Sequence, residues 1–197
     1  MTHPKEERTL VLVKPDAVAR GLIGEVLSRF EARGLKVLAL KMTHPSREHA
    51  AGHYSGSEEW LRGIGEKSLI SYAEHGFDPV QEVGTADPIE IGKIIEQLNV
   101  DYLSQGPVVA MVLQGMHAVT TVRKITGHTF PVLADPGTIR GDLSIDAATA
   151  ANRDRRTVRN VVHASGNVEE AEAEIKHWFK SDELVSYKRA DEDTMFS

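Results

Sequence analysis

Two short apolar runs set the terms for any fold this chain can adopt: TLVLV (9–13) and PVVAMVL (107–113). Both are rich in β-branched residues and have strand length, so they read as buried strands. LKVLALKM (35–42) resumes strand character, and Val161 and Val162 in RNVVHASGNVEEAEAEI (159–175) read as the end of a fourth strand. Between the first two strands, LIGEVLSRFEARG (22–34) puts Leu22, Ile23, Val26, Leu27 and Phe30 on one helical face, with Gly34 as its stop. DPIEIGKIIEQL (87–98) is a helix begun by Asp87 and Pro88, and AVTTVRKITG (118–127) a helix closed by Gly127. TFPVLADPGTIRGD (129–142) is a loop punctuated by prolines and glycines. The order is strand, helix, strand, an irregular helical region, strand, helix, loop, strand, helix. Its natural assembly is an α+β fold, a ferredoxin-like βαββαβ core: a four-stranded antiparallel sheet with helices on one face plus surface helices.

The 197 residues suffice for one good core, and one domain is expected over 1–197. Within it, 43–105 is an expanded region, 147–156 is polar with a basic end, and 189–197 is a polar tail, mobile or docked on a neighbouring subunit. A net charge of -6 argues against a general nucleic-acid or anionic-membrane binder, while leaving room for a local basic pocket. With no cysteine, disulfides, thiolate metal sites and cysteine catalysis are excluded. MTHPKEERTL lacks the apolar run of a signal peptide, and no stretch is long enough to span a bilayer, so a cytoplasmic location is expected.

The residues able to do chemistry fall at the ends of these elements. Lys14 follows the first strand and precedes Pro15, which biases it to an extended conformation. Arg140 lies in the glycine-rich TIRGD loop, and Arg123 near the end of its helix, where the dipole favours a cation. Thr129 and Asn160 add a hydroxyl and an amide. His163 sits between a strand end and a helix entrance, with Asn167 as N-cap and Glu170 completing a capping-box pattern. A lone histidine there is most simply a half-buried ring bonded to a carbonyl. In company with two or three cations, the set suits a polyphosphate ligand, because arginine forks match phosphate oxygens and lysine adds a point charge. His163 is then the one good neutral nucleophile. It needs a carboxylate on its other ring nitrogen, and Glu169, Glu170, Glu172 and Glu174 are all open for that role.

ERTLVLVKPDAVARGLIGEVLSRFEARGLKVLALK, GPVVAMVLQG, PGTIRGD and RNVVHASGNVEEAEAEIKHWF through ELVSY resemble, in this order, the motifs of the nucleoside diphosphate kinase family. The resemblance covers 7–42 and 106–188. It implies that His163 becomes phosphorylated and that Lys14, Arg123, Thr129 and Arg140 hold the nucleotide phosphates. Asn160 matches a residue that bonds the sugar and phosphate end, Tyr54 a tyrosine near the histidine, and Glu174 the glutamate that orients the imidazole, with Ser165 in support. It also implies ping-pong transfer between nucleoside tri- and diphosphates with Mg²⁺, held mainly by the phosphates rather than by protein ligands. A homo-oligomer follows, a tetramer or hexamer built from dimers. The chain departs from the family pattern in the expanded 43–105 region, where Trp60 or Leu61 are candidates to stack on the base. It departs again in the 147–156 insertion, whose Arg153, Arg155 and Arg156 are either a solvated loop or extra contacts at the site mouth. The other function classes are a nucleotide-binding module with little turnover and a histidine phospho-donor to proteins.

Overall fold

The computed structural model describes residues 3–196. Residues 1, 2 and 197, the ends of the domain expected over 1–197 and of its polar tail, lie outside the described residues. Four strands, β1 (Arg8–Val13), β2 (Lys36–Thr43), β3 (Val108–Gln114) and β4 (Val162–Ala164), form an antiparallel sheet in the order β2-β3-β1-β4. That is the expected ferredoxin-like α+β core. The helices are α1 (Pro15–Ala19), α2 (Ile23–Ala32), α3 (Arg47–Gly52), α4 (Glu58–Glu74), α5 (Pro79–Val83) and α6 (Pro88–Ser104), followed by α7 (Ala118–Thr126), α8 (Ile139–Leu143), α9 (Ala148–Arg153), α10 (Val168–Trp178) and α11 (Glu192–Phe196).

Strand β1 is covered on both sides, which is why its sequence is a continuous apolar run rather than an alternation. Val11 and Val13 face a layer built with Val26 and Phe30 of α2 and Val122 of α7. Leu10 and Leu12 face a second layer with Ala50 of α3, Val100 and Leu103 of α6, and Ile175 and Trp178 of α10. The surface helices thus bury an apolar layer of their own on the far face of the sheet. Each of these fully buried aliphatic side chains contributes about 1.5–3 kcal/mol.

The region 43–105 resolves into four helices, each with a local reason. Ser46, Ser57, Asp78 and Asp87 cap α3, α4, α5 and α6, each accepting a backbone N–H from the first turn. The expected start of α6 at Asp87 and Pro88 holds, and the helix runs on to Ser104. Helices α4 and α6 cross at glycines: a Cβ on Gly65 would lie 1.8 Å from the Pro88 carbonyl oxygen, and one on Gly92 2.2 Å from that of Leu61. Leu61 is buried in that crossing, whereas Trp60 is half-buried with its ring 5.7 Å from Tyr54.

Two further segments differ from expectation. The 129–142 loop ends in a helical turn, α8, because Thr138 accepts the Gly141 N–H and caps it. The tail docks on its own chain: Arg189 donates to the Leu35 carbonyl at 2.8 Å, and Lys36 pairs with Glu192 at 2.8 Å.

Candidate active site

The aim of His163 follows from strand register. In β4 it lies opposite Leu12, and cross-strand partners share a face. Leu12 belongs to the layer of α3 and α10, so the imidazole points toward those two helices. There Glu174 of α10 brings Oε1 to 2.8 Å from His163 Nε2. The approach is close without being an aligned hydrogen bond, since Nε2 is buried and has no hydrogen-bond partner. Catalytic contacts in ligand-free sites are often this loose. Glu174 is held by Ser165, whose hydroxyl donates to Oε2 at 2.6 Å and whose Oγ accepts the Leu10 N–H. Of the carboxylates left open by the sequence, Glu172 is engaged instead with Arg8 at 2.6 Å, and Glu169 is exposed.

The second partner of the histidine was not foreseen. His53, immediately after α3, is buried and packs edge-on against His163, ring centroids 4.4 Å apart at 85°. Trp178 Nε1 donates to His53 Nδ1 at 3.2 Å, which assigns the His53 proton to Nε2. Burial, then the neighbouring His163, holds His53 well below the ordinary imidazole range. His53 adjoins Tyr54 in sequence and Trp178 lies buried on α10, but a contact between elements about 125 positions apart leaves no local pattern. Tyr54 itself reaches the site through His53, with ring centroids 5.0 Å apart. Burial pushes its hydroxyl above the usual phenol range.

On the other side lie the cations. Lys14 takes the extended conformation that Pro15 demands and donates to Asn160 Oδ1 at 2.8 Å. Asn160 in turn donates to the Thr129 carbonyl at 2.9 Å. Asn160 is presented by a tight turn in which Val161 has φ 69° and the Val162 N–H meets the Asn160 carbonyl at 2.7 Å. A β-branched residue in the left-handed region is strained by about 1–3 kcal/mol, a cost that the buried surroundings of Val161 must offset. Arg140 is buried and donates to the carbonyls of Gly127, Asn160 and Val162 at 3.1, 3.1 and 2.7 Å. Burial and the nearby Arg123 bring it down to about 10, so it stays a cation at neutral pH. Among the described residues no carboxylate forms a salt bridge with Lys14, Arg123 or Arg140. Asp16 is close to Lys14, but its oxygens accept from the Tyr102 hydroxyl and the Val161 N–H. Burial first, then Lys14, hold His163 down to about 3, with Glu170 acting in the opposite direction. The imidazole is therefore neutral at physiological pH.

His53, His163 and Glu174 bring one donor atom each within 4.8 Å of one another. Two imidazoles and a carboxylate are not the all-oxygen set that magnesium takes. Of the 147–156 arginines, Arg156 is tied to Asp146 at 2.5 Å and Arg153 sits 5.1 Å from the Phe77 ring, while Arg155 is exposed.

Fold and cleft together define a class: a ferredoxin-like α+β protein that gathers uncompensated cations on one side of a neutral, carboxylate-backed histidine. The family model described as nucleoside diphosphate kinase matches residues 7–61 and 92–184, leaving 62–91 between its two segments. A nucleoside diphosphate kinase of Pyrobaculum aerophilum is 52% identical over 179 residues, 91% of this chain and 98% of that one. The crystal structure of an NDP kinase from the same organism superposes with a TM-score of 0.90 at 50% identity, covering 92% of this chain and all of that one. A Borrelia burgdorferi nucleoside-diphosphate kinase, solved as a transition-state mimic with vanadate and ADP, gives 0.78 at 35% identity over 98% of both chains. The chain belongs to the nucleoside diphosphate kinase family and is a phosphotransferase acting on nucleotides.

Proposed function

We propose that His163 carries the transferred phosphoryl group, and that a nucleoside triphosphate such as ATP gives up its γ-phosphoryl group to it before a nucleoside diphosphate collects it. The observation that carries this reading is the two-sided setting of the imidazole. Nε2 faces Glu174, whereas among the described residues no group hydrogen-bonds Nδ1, which leaves its lone pair free. Lys14, Arg123 and Arg140 form no salt bridge among the described residues, and such cations beside the ring are where a polyphosphate belongs. Thr129 joins the cations on the phosphates, Asn160 bonds the sugar and phosphate end, and Tyr54 packs behind the site.

Little driving force is required, because one phosphoanhydride is exchanged for another; alignment and charge neutralisation do the work. The divalent cation is Mg²⁺, carried on phosphate oxygens, which suits a cleft where Asp16 is already engaged. It supplies further neutralisation of the phosphates. The chain forms one domain over 1–197 and assembles as a homo-oligomer of dimers, a tetramer or hexamer. In support, edge strand β2 leaves Leu40 and Met42 about half exposed, at 48% and 57%. A cytoplasmic setting fits the cysteine-free composition, and no helix among the described residues is long and apolar enough to cross a membrane.

Intact mass after brief incubation with ATP and Mg²⁺ tests the reading. The wild type gains one acid-labile phosphoryl group, discharged by a nucleoside diphosphate, and His163→Ala gains none. Nucleotide binding without a phosphoenzyme would instead mark a binding module, and label passed to proteins but not to nucleoside diphosphates would mark a protein phospho-donor.

A further inference from the structure

A lysine serves a phosphate ligand only while no carboxylate of its own chain neutralises it. Burial, then Arg140, disfavour the Lys14 cation, and Asp16, two residues on in the first turn of α1, favours it. Two opposite charges so close in sequence close readily into an ion pair, which would leave nothing for a phosphate. Among the described residues no salt bridge joins them, because both Asp16 oxygens are held elsewhere.

Tyr102 of α6 does most of the holding. Its hydroxyl donates to Asp16 Oδ1 and accepts the Asp16 N–H at 3.3 Å, so it grips that residue by side chain and backbone together. Asp16 Oδ2 accepts the Val161 N–H at 3.3 Å, and the Val161 carbonyl accepts the Lys14 N–H at 2.9 Å. Tyr102 is buried, with the Arg159 guanidinium 4.5 Å from its ring centre. Burial, and then Asp16, keep the phenol far above its ordinary range, so the hydroxyl stays protonated and remains a donor. The charged and titratable groups around Lys14 are Asp16 on α1, Tyr102 on α6, Arg140 on α8 and His163 on β4. Arg159 lies beyond the Tyr102 ring and His53 beyond His163. Asp16 is the carboxylate in this set.

We propose that Tyr102 is a positioning residue for phosphate binding: by holding the Asp16 carboxylate, it keeps Lys14 free for the nucleotide. The inference rests on the reading that Lys14 holds phosphate. The same tie supports the turn that presents the site, since Asp16 secures Val161 at its φ of 69°, between Asn160 and the histidine strand. Without the hydroxyl, Oδ1 of a half-buried carboxylate loses its donor and turns to the nearby lysine.

The test is the pH dependence of kcat/KM for ATP with Mg²⁺ in wild type, Tyr102→Phe, Asp16→Asn and the double variant, with Lys14→Gln alongside. Phe keeps the ring beneath Arg159 and removes only the hydroxyl. In Tyr102→Phe, kcat/KM at neutral pH should fall about tenfold, mainly through a higher KM. Its basic limb should move about one pH unit higher, because an adjacent carboxylate stabilises the lysine cation. Adding Asp16→Asn removes that carboxylate, so the limb returns to the wild-type position or below and KM recovers. The position of the limb does not depend on how much of a variant is folded, so lost stability alone leaves it in place. A limb unmoved in Tyr102→Phe, or a double variant no better than Tyr102→Phe, would overturn the proposal and reduce Tyr102 to a packing residue. Asp16→Asn alone leaves Tyr102 intact and should lower the limb far less than Tyr102→Phe raises it. An equal fall would mean that Asp16 already neutralises Lys14, and would overturn the proposal by a second route. A wild-type KM in Lys14→Gln would instead overturn the reading beneath it, so the two failures are distinguishable.

Discussion

The two sides of the His163 ring are built on opposite rules. Behind it, the groups brace one another: Trp178 donates to His53, Ser165 donates to Glu174, and Glu174 comes close to the imidazole without an aligned hydrogen bond. In front, Lys14, Arg140 and Arg123 form no salt bridge among the described residues and repel one another. Uncompensated charge in a half-buried cleft is costly, and a protein keeps it where a ligand of opposite sign completes the arrangement. The back wall is complete but for the loose Glu174–His163 contact; the front is half of a structure.

Replacing Arg140 by Gln should break the front with the largest effect. On the proposed reading the guanidinium is a preorganised charge for the phosphates, and losing such a group costs about 10²–10³ in kcat. It also supports three backbone carbonyls, so the variant should lose about 1–3 kcal/mol of stability, read by denaturant unfolding. A fall in stability with kcat intact would reduce Arg140 to a structural brace.

Glu174→Gln attacks the back wall and should do less. The amide can still meet Ser165, and His53 still braces the ring, but the charge facing Nε2 is gone. A misdirected imidazole costs up to about 10²-fold, so kcat should fall by roughly 10- to 100-fold with the nucleotide KM little changed. A rise in KM with kcat preserved would place Glu174 on the phosphate side and erase the distinction between the two faces.

That distinction was half legible in the sequence. Lys14, Arg140, Asn160 and His163 stand at the ends of elements whose apolar runs are plain, so their convergence follows once the sheet order is known. Glu174 could not be separated from Glu169, Glu170 and Glu172 by pattern, because all four sit within two helical turns and only packing decides which one faces β4. His53 and Trp178 escaped for a related reason: each reads locally as an ordinary core residue, and their meeting depends on how α3 and α10 lie on the same face of the sheet. Of the four helices of 43–105 only α6 was legible, from Asp87 and Pro88, and the glycines at 65 and 92 obscured how it pairs with α4. In sequence these look like breakers, yet in the fold they let two backbones touch. The tail was misread because Arg189 satisfies carbonyls at the end of α2, contacts that a polar composition does not announce.

A pH profile sharpens the comparison further, with the smallest and most specific effect. Burial, and then Arg140, bring Lys14 down to about 8, with Asp16 opposing. The cation needed for phosphate is therefore lost from the free enzyme as pH rises through about 8, and kcat/KM should fall about tenfold per unit above it. Stability should move the other way. Between about 8 and the ordinary lysine value of 10.5 the unfolded chain holds a proton that the folded cleft gives up, so unfolding binds protons and the folded state gains as pH rises. Relative to Lys14→Gln, the wild type should thus become more stable across the same window in which it becomes a poorer enzyme. In the Arg140→Gln background the repelling charge is absent, so the basic limb of kcat/KM should shift to higher pH. A limb that stays in place would mean that burial alone sets the Lys14 proton and that the front cations do not act on one another.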